Sequence, residues 1–185
     1  MKKIETALPG VLIVEPDVFG DPRGFFLEAF RVEQVASLPG AGSGSIVQLN
    51  HSRSVRNTVR GLHFQEPRAQ GKLVWVVRGA ILDAVVDIRL GSPTFGSHVT
   101  IEIDEENHRR VWVPPGFAHG FSVLSDSADC LYACTDYYAP ECDRAIAWND
   151  PALAIDWRVT DVLVSPKDAA APHLADARVL PRYGE

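Results

Sequence analysis

The chain of 185 residues carries only three thiols, Cys130, Cys134 and Cys142. An odd number clustered late in the sequence is no disulfide framework. The C-x3-C spacing of the first two lacks the second half that a structural zinc site needs. Buried, neutral thiols in a reducing compartment are therefore expected. No stretch approaches the ~20 apolar residues of a membrane-spanning helix. Met1-Lys2-Lys3 is followed by Glu5, Pro9, Gly10, Glu15 and Asp17, not by the apolar core of a signal peptide. These absences point to a cytoplasmic protein with no membrane partner. A basic excess is missing too: 18 Lys and Arg stand against 24 Asp and Glu, a formal net charge of −6. That excludes general nucleic-acid binding. It leaves room for a phosphate-bearing small ligand, which needs only a local cluster of Arg and Lys. There is no internal repeat, and the Gly/Ser-rich run 41–45 is too short for a domain linker. A single domain over 1–185 follows.

What the chain does contain is a series of short runs rich in β-branched and aromatic residues, punctuated by Gly, Pro, Asp and Asn. Strands are predicted over 11–14, 24–30, 45–50, 59–65, 72–77, 81–89, 99–103, 110–113, 117–124 and 131–138. Alternation is clearest in 81–89. Leu82, Ala84, Val86 and Ile88 share one face, and Asp83, Asp87 and Arg89 share the other with Ile81 and Val85, so one face should pack while the other carries polar work. Only 32–37 and 167–175 look helical, the second interrupted by Pro172. The tail from Asp161 is irregular and should wrap the body. The pattern is all-β, a sandwich or barrel with a few short helices.

Polar residues are placed among these runs in a telling way. Gln48 and Asn50 alternate in one strand, and His63 and Gln65 share a face in another. Polar side chains pointing into a β-barrel suggest a ligand cavity. Arg60 has the wrong parity to join His63 unless Gly61 allows a bulge. Pro114-Pro115-Gly116 forces a turn into a strand carrying His119 between Phe117 and Phe121. Two histidines are fewer than the three protein ligands of a catalytic metal site, so no metal is expected. Tyr132 and Tyr138 share a face if their strand is regular. In Ser165-Pro166-Lys167-Asp168, Asp168 reads by itself as a helix N-cap.

Several blocks together carry a resemblance along nearly the whole chain: Gly20-Asp21-Pro22-Arg23-Gly24-Phe25-Phe26-x-Glu28-x-Phe30, Gln48-x-Asn50-x-Ser52-x-Ser54, Arg60-Gly61-Leu62-His63-Phe64-Gln65, and Gln70-Gly71-Lys72-Leu73-Val74. They continue with Asp83-x-x-x-Asp87-Ile88-Arg89, Pro114-Pro115-Gly116-Phe117-Ala118-His119-Gly120-Phe121, Trp148-Asn149-Asp150-Pro151 and Ser165-x-Lys167-Asp168. In this order and spacing the chain resembles the dTDP-4-dehydrorhamnose 3,5-epimerases, a cupin family. The resemblance implies a cupin-type jelly roll, a dTDP-sugar substrate, no cofactor, and a homodimer that exchanges N-terminal strands. It implies inversion at C3 and C5 of a 4-keto-6-deoxy sugar. His63 would be the base, Asp168 its orienting carboxylate with Asp83 as runner-up, Lys72 the enolate stabiliser and Tyr132 the acid on the opposite face. Tyr138 would stack on thymine. Arg23, Arg60 and Lys167 would meet the diphosphate, Glu28, Gln48 and Asn50 the base or sugar, and His119 the sugar pocket. Two positions depart from the family's habit: Asn57 where Gly is frequent, and Cys134 where Lys is common, a change expected to alter a rim contact. The alternatives are an epimerase acting at C3 or C5 alone, a related ketoisomerase, and a non-catalytic sugar-nucleotide-binding cupin. A metal oxygenase is the last of them.

Overall fold

The computed structural model describes residues 1–42 and 46–184. The Gly/Ser-rich run, and the start of the strand expected from residue 45, fall partly outside those residues. Five strands occupy the first third of the chain: β1 (Lys2–Glu5), β2 (Leu12–Glu15), β3 (Val18–Asp21), β4 (Gly24–Leu27) and β5 (Gln48–Val55). The middle supplies β6 (Val59–Gln65), β7 (Lys72–Arg78), β8 (Ala80–Asp87) and β9 (His98–Asp104). β10 (Arg110–Val113), β11 (Phe117–Val123), β12 (Ser127–Cys134) and β13 (Asp143–Ala145) complete the set. A six-stranded sheet in the order β1-β2-β10-β7-β12-β5 faces a five-stranded sheet in the order β13-β6-β11-β8-β9. Strand pairing throughout is antiparallel. This is the all-β, jelly-roll sandwich that the sequence pattern and the resemblance led one to expect.

Three apolar layers hold it together. Between the sheets, Val74, Val76, Val111 and Cys130 meet Ile81, Val85, Phe117 and Phe121. Outside the six-stranded sheet, Leu73, Trp75 and Trp112 are covered by Val35 and Leu38, from and just after helix α1 (Val32–Ala36). Outside the five-stranded sheet, Leu62, Ala84, Val86 and Ile88 lie under Leu153, Trp157 and Leu174. Each fully buried aliphatic side chain is worth roughly 1.5–3 kcal/mol of transfer free energy.

The alternation read in 81–89 holds, with Ala84, Val86 and Ile88 packing and Asp83 on the other face meeting His119, but neither face is open to solvent. The tail covers the outer face, so Ile81 to Asp87 are buried on both sides. Asp87 tolerates this because its carboxylate is saturated, by Arg89 Nε at 2.9 Å and Nη2 at 2.7 Å, and by Ser92 Oγ and Thr94 Oγ1 at 2.6 Å each.

Other boundaries moved for local reasons. The strand expected over 131–138 is β12, four residues earlier at each end. It stops at Cys134, and the Asp136 carboxylate then takes the Tyr137 backbone N–H at 2.7 Å and Arg68 Nη2 at 2.7 Å. The strand expected over 24–30 ends at Leu27 and pairs with β3 to make a separate two-stranded hairpin. The helix expected over 167–175 is one turn, α2 (Pro166–Ala169), followed beyond Pro172 by a 3-10 turn, Leu174–Asp176. Asp168 is not its N-cap. Ser165 caps it, its hydroxyl accepting the Asp168 N–H at 3.1 Å. Asn57 adopts φ +66, as a residue standing in for Gly must. All three cysteines are buried and unpaired. No helix among the described residues is long and apolar enough to cross a membrane.

Candidate active site

The parity conflict between Arg60 and His63 is resolved by a bulge. His119 pairs with His63 and Phe121 with Arg60, so three steps on β6 match two on β11. Gly61 absorbs the extra residue at φ +118. A Cβ there would lie 2.7 Å from Gly120 Cα, and one on Gly120 would lie 2.6 Å from the Arg60 carbonyl oxygen. Two glycines are therefore required at this crossing, and both Arg60 and His63 reach one cavity of about 400 Å3 between the sheets.

Two histidine–carboxylate pairs stand side by side on the five-stranded wall. His63 Nε2 lies 2.6 Å from Asp168 Oδ1, and His119 Nε2 lies 2.6 Å from Asp83 Oδ2. Asp83 thus belongs to His119, and its place as runner-up beside His63 is withdrawn. Burial works against ionisation of Asp168. The hydrogen bond and charge of His63, the Ser165 hydroxyl and the Gly61 backbone outweigh it, and the carboxyl sits below its ordinary range. A second cleft of about 330 Å3, flanked by Thr58, Leu163 and Ser165, reaches His63 and Asp168 from the tail side.

The opposite wall comes from the six-stranded sheet. Tyr132 on β12 pairs with Asn50 on β5, and Lys72 opens β7 opposite Cys134. No hydrogen bond or ion pair among the described residues holds the Lys72 ammonium. Burial pushes it below the ordinary lysine value, opposed by Cys134, Asp143 and Asp83. Burial pushes the Tyr132 phenol up, with Cys134 and Cys130 adding to the effect, so it stays protonated. Gln48, Asn50 and Ser52 alternate along β5 into the cavity. Gln48 Nε2 donates to Asn50 Oδ1 at 2.9 Å, and Asn50 Nδ2 to Cys134 Sγ at 3.6 Å. Cys134 is buried, so its contact is with this ladder and not with the rim.

At the mouth, Tyr138 lies beyond the end of β12. It joins Tyr132 in the cavity through the turn that follows the strand, not through strand alternation. Its backbone N–H donates to Gln48 Oε1 at 2.9 Å and its hydroxyl to Asp143 Oδ2 at 2.8 Å. Lys167 Nζ is ion-paired with the same Asp143 oxygen. Burial of Asp143 is outweighed by these two partners and by the nearby His63, which hold its carboxyl below the ordinary range.

Nine expected residues therefore line one cavity: His63, Lys72, Tyr132, Gln48, Asn50, Arg60, His119, Tyr138 and Lys167. Asp168 stands directly behind His63. Arg23 and Glu28 do not join them. Arg23 is exposed on the β3–β4 hairpin and pairs with Asp21, and Glu28 pairs with Arg31. Asp143, Ser52 and Gln70 line the cavity without having been singled out. Ser52 and Gln70 stand inside motifs already quoted. Asp143 stands in a Glu-Cys-Asp-Arg run that reads as solvated charge.

A jelly roll that brings a histidine–carboxylate pair from one sheet and a half-buried lysine and tyrosine from the other into a single cavity is a cupin equipped for acid–base work. The chain belongs to the dTDP-4-dehydrorhamnose 3,5-epimerase family, whose model matches residues 5–176. It is 50% identical over 182 residues to the dTDP-4-dehydrorhamnose 3,5-epimerase of Pseudomonas aeruginosa, covering 98% of this chain and 100% of that one. It is 49% identical over 176 residues to the Salmonella typhimurium enzyme of the same name, covering 94% and 96%. The crystal structure of the dTDP-6-deoxy-D-glucose-3,5-epimerase of Legionella pneumophila, in complex with dTDP-4-keto-L-rhamnose, superposes with a TM-score of 0.94 at 50% identity. That match covers 100% of this chain and 99% of that one.

Proposed function

We propose that this protein inverts C3 and C5 of dTDP-4-dehydro-6-deoxy-D-glucose to give dTDP-4-dehydro-L-rhamnose. The observation that carries the reading is the placement of His63 and Tyr132 in different sheets around one cavity. C3 and C5 both flank the C4 carbonyl, so their C–H bonds are acidic. Asp168 accepts the Nε2 proton of His63 and leaves the Nδ1 lone pair as general base. Lys72, held in a site of low polarity, neutralises the enolate oxygen, where a fixed positive charge counts for more than in water. Tyr132 returns a proton from the other side and the centre inverts. Each acid–base group contributes about 10²–10⁴-fold. His119, fixed by Asp83, borders the sugar.

The exposed Tyr138 ring offers a flat platform for the thymine, with Gln48 and Asn50 beside it. Arg60 and Lys167 supply charge for the diphosphate. Arg23 and Glu28, remote from the cavity of their own chain, serve a partner's site in a homodimer that exchanges the β3–β4 arm. Phe19, Phe25 and Phe26 on that arm are all exposed, an apolar patch with an interface's character. Three unpaired thiols favour a reducing, cytoplasmic setting.

The test is to incubate the protein with dTDP-4-keto-6-deoxyglucose in D2O and follow C3 and C5 by NMR, with coupled reduction of the product. Deuterium at both carbons and formation of dTDP-L-rhamnose is expected. Exchange at one carbon replaces the reading with a mono-epimerase. Exchange at neither, with tight dTDP binding, replaces it with a binding module.

A further inference from the structure

Asp143 is out of place by its charge. Arg60, Lys72 and Lys167 line the cavity with positive charge, and Asp143 is the one carboxylate among the lining residues. A mouth that receives a diphosphate gains nothing from a free anion. The carboxylate is not free, however. A single oxygen, Oδ2, accepts from Tyr138 Oη at 2.8 Å and from the Lys167 ammonium. The three groups come from three separate segments: the loop after β12, strand β13 and helix α2. β13 is hydrogen-bonded to the strand that carries His63, with Asp143 opposite Gln65 and Ala145 opposite His63.

We infer that Asp143 is a positioning residue for substrate binding: its carboxylate clamps the Tyr138 ring and the Lys167 ammonium to the strand that bears the base. This rests on the nucleoside diphosphate-sugar reading of the cavity. Both clamped side chains are about half exposed, 53% for Tyr138 and 51% for Lys167. Free in solvent, each would lose rotamer freedom on meeting a ligand; clamped, each is already ordered. Gln48 holds the Tyr138 backbone, and Asp143 holds the other end of the ring. Lys167 in turn neutralises the carboxylate, so the clamp leaves no net negative charge at the mouth. The neighbouring tie from α2, Asp168 to His63, has its own support in the Ser165 cap. The clamp therefore acts on binding and not on proton transfer.

The experiment measures dTDP binding by calorimetry, together with kcat and KM, for wild type, Asp143→Ala, Asp143→Glu, Tyr138→Phe and the Tyr138→Phe/Asp143→Ala double variant. Charge-assisted hydrogen bonds of this kind predict a loss of about 10–100-fold in dTDP affinity and a matching rise in KM for Asp143→Ala, with kcat within about threefold. Asp143→Glu recovers most of the loss. Tyr138→Phe weakens binding about 3–10-fold by itself and adds nothing in the Ala background. Should Asp143→Ala fail to fold, Tyr138→Phe, which removes one hydroxyl, carries the test: unchanged affinity overturns the clamp. So does a fall in kcat at constant KM, which makes Asp143 part of the chemistry. So does tighter dTDP binding by Asp143→Ala, which makes the carboxylate a competitor for Lys167. Wild-type protein that does not bind dTDP overturns the nucleotide reading itself.

Discussion

His63 and Tyr132 enter one cavity from opposite sheets, the first on β6 and the second on β12. Inversion needs a base and an acid that no single strand could place on two faces of one ring. The arrangement separates their roles in an experiment. In D2O, Tyr132→Phe should exchange substrate hydrogen without inverting the carbon. His63 still removes the proton, the cleft on the tail side lets the pair equilibrate with solvent, and deuterium returns to the same face. His63→Asn should neither exchange nor invert, with kcat down about 10²–10⁴-fold. Loss of exchange in Tyr132→Phe would take the acid's role away from it.

On the proposed mechanism, Lys72 should set the alkaline limit. Burial lowers its pKa from the ordinary 10.5, while burial raises that of Tyr132. kcat/KM should therefore fall as pH rises through a value below the usual lysine range. The limb should persist in the residual activity of Tyr132→Phe and move to higher pH in Lys72→Arg, whose cation does not titrate there. A limb that disappears with the Tyr132 hydroxyl would assign it to the wrong group.

The crossing of β6 and β11 is intolerant of a methyl group. Gly61→Ala puts a Cβ within 2.8 Å of the His119 carbonyl oxygen at φ +118 and should cost about 3 kcal/mol in urea unfolding. Gly91→Ala is the control. Its φ is +85 and nothing lies within 4 Å of the new Cβ, so only backbone strain of about 1 kcal/mol remains. Equal losses at the two sites would mean that backbone angle alone, and not the close approach, matters at the bulge.

Acid stability should depend on Asp87. Burial opposes its ionisation, but Arg89, Ser92 and Thr94 overcome this and hold it at about 2, against an ordinary 3.8. The folded state binds this proton less readily than the unfolded chain. The stabilisation, about 2 kcal/mol, is complete above about pH 4 and is lost as pH falls towards about 2. In Asp87→Asn the melting temperature should be lower at neutral pH and flatter across that window. A parallel acid decline in both proteins would place the titration elsewhere.

The proposed homodimer would associate through the apolar arm. Phe19→Ser with Phe26→Ser should convert a dimer to a monomer by light scattering and raise KM, since Arg23 and Glu28 would be withdrawn from the partner's cavity. A dimer of unchanged affinity would move the interface off the hairpin.

Much of the cavity could be read before any coordinates existed, because side-chain parity is a local property. Gln48, Asn50 and His63 follow from strand alternation, and the wrong parity of Arg60 beside Gly61 marked the bulge, whereas Lys72 came from the resemblance alone. What local pattern alone could not supply is set by distance along the chain, and there the choice of Asp168 rested on the resemblance. Asp168 lies 105 residues after His63, and nothing near either residue chooses it over Asp83. The burial of Asp83 and Asp87 depends on the facing sheet and on His119, Arg89, Ser92 and Thr94, none of which the alternation of one strand reveals. Asp143 acquires meaning only when the β12 loop and α2 converge on it.

Every strand of both sheets is complete by Ala145, yet the carboxylate that faces His63 comes 23 residues later, in the segment that also covers the outer sheet. The same closure that seals Leu62 and Ile88 from water delivers Asp168 to the histidine. The last apolar layer and the histidine's partner thus belong to one segment of the chain. A chain trimmed before the tail would therefore lose the histidine's carboxylate and expose Leu62 and Ile88 in the same cut.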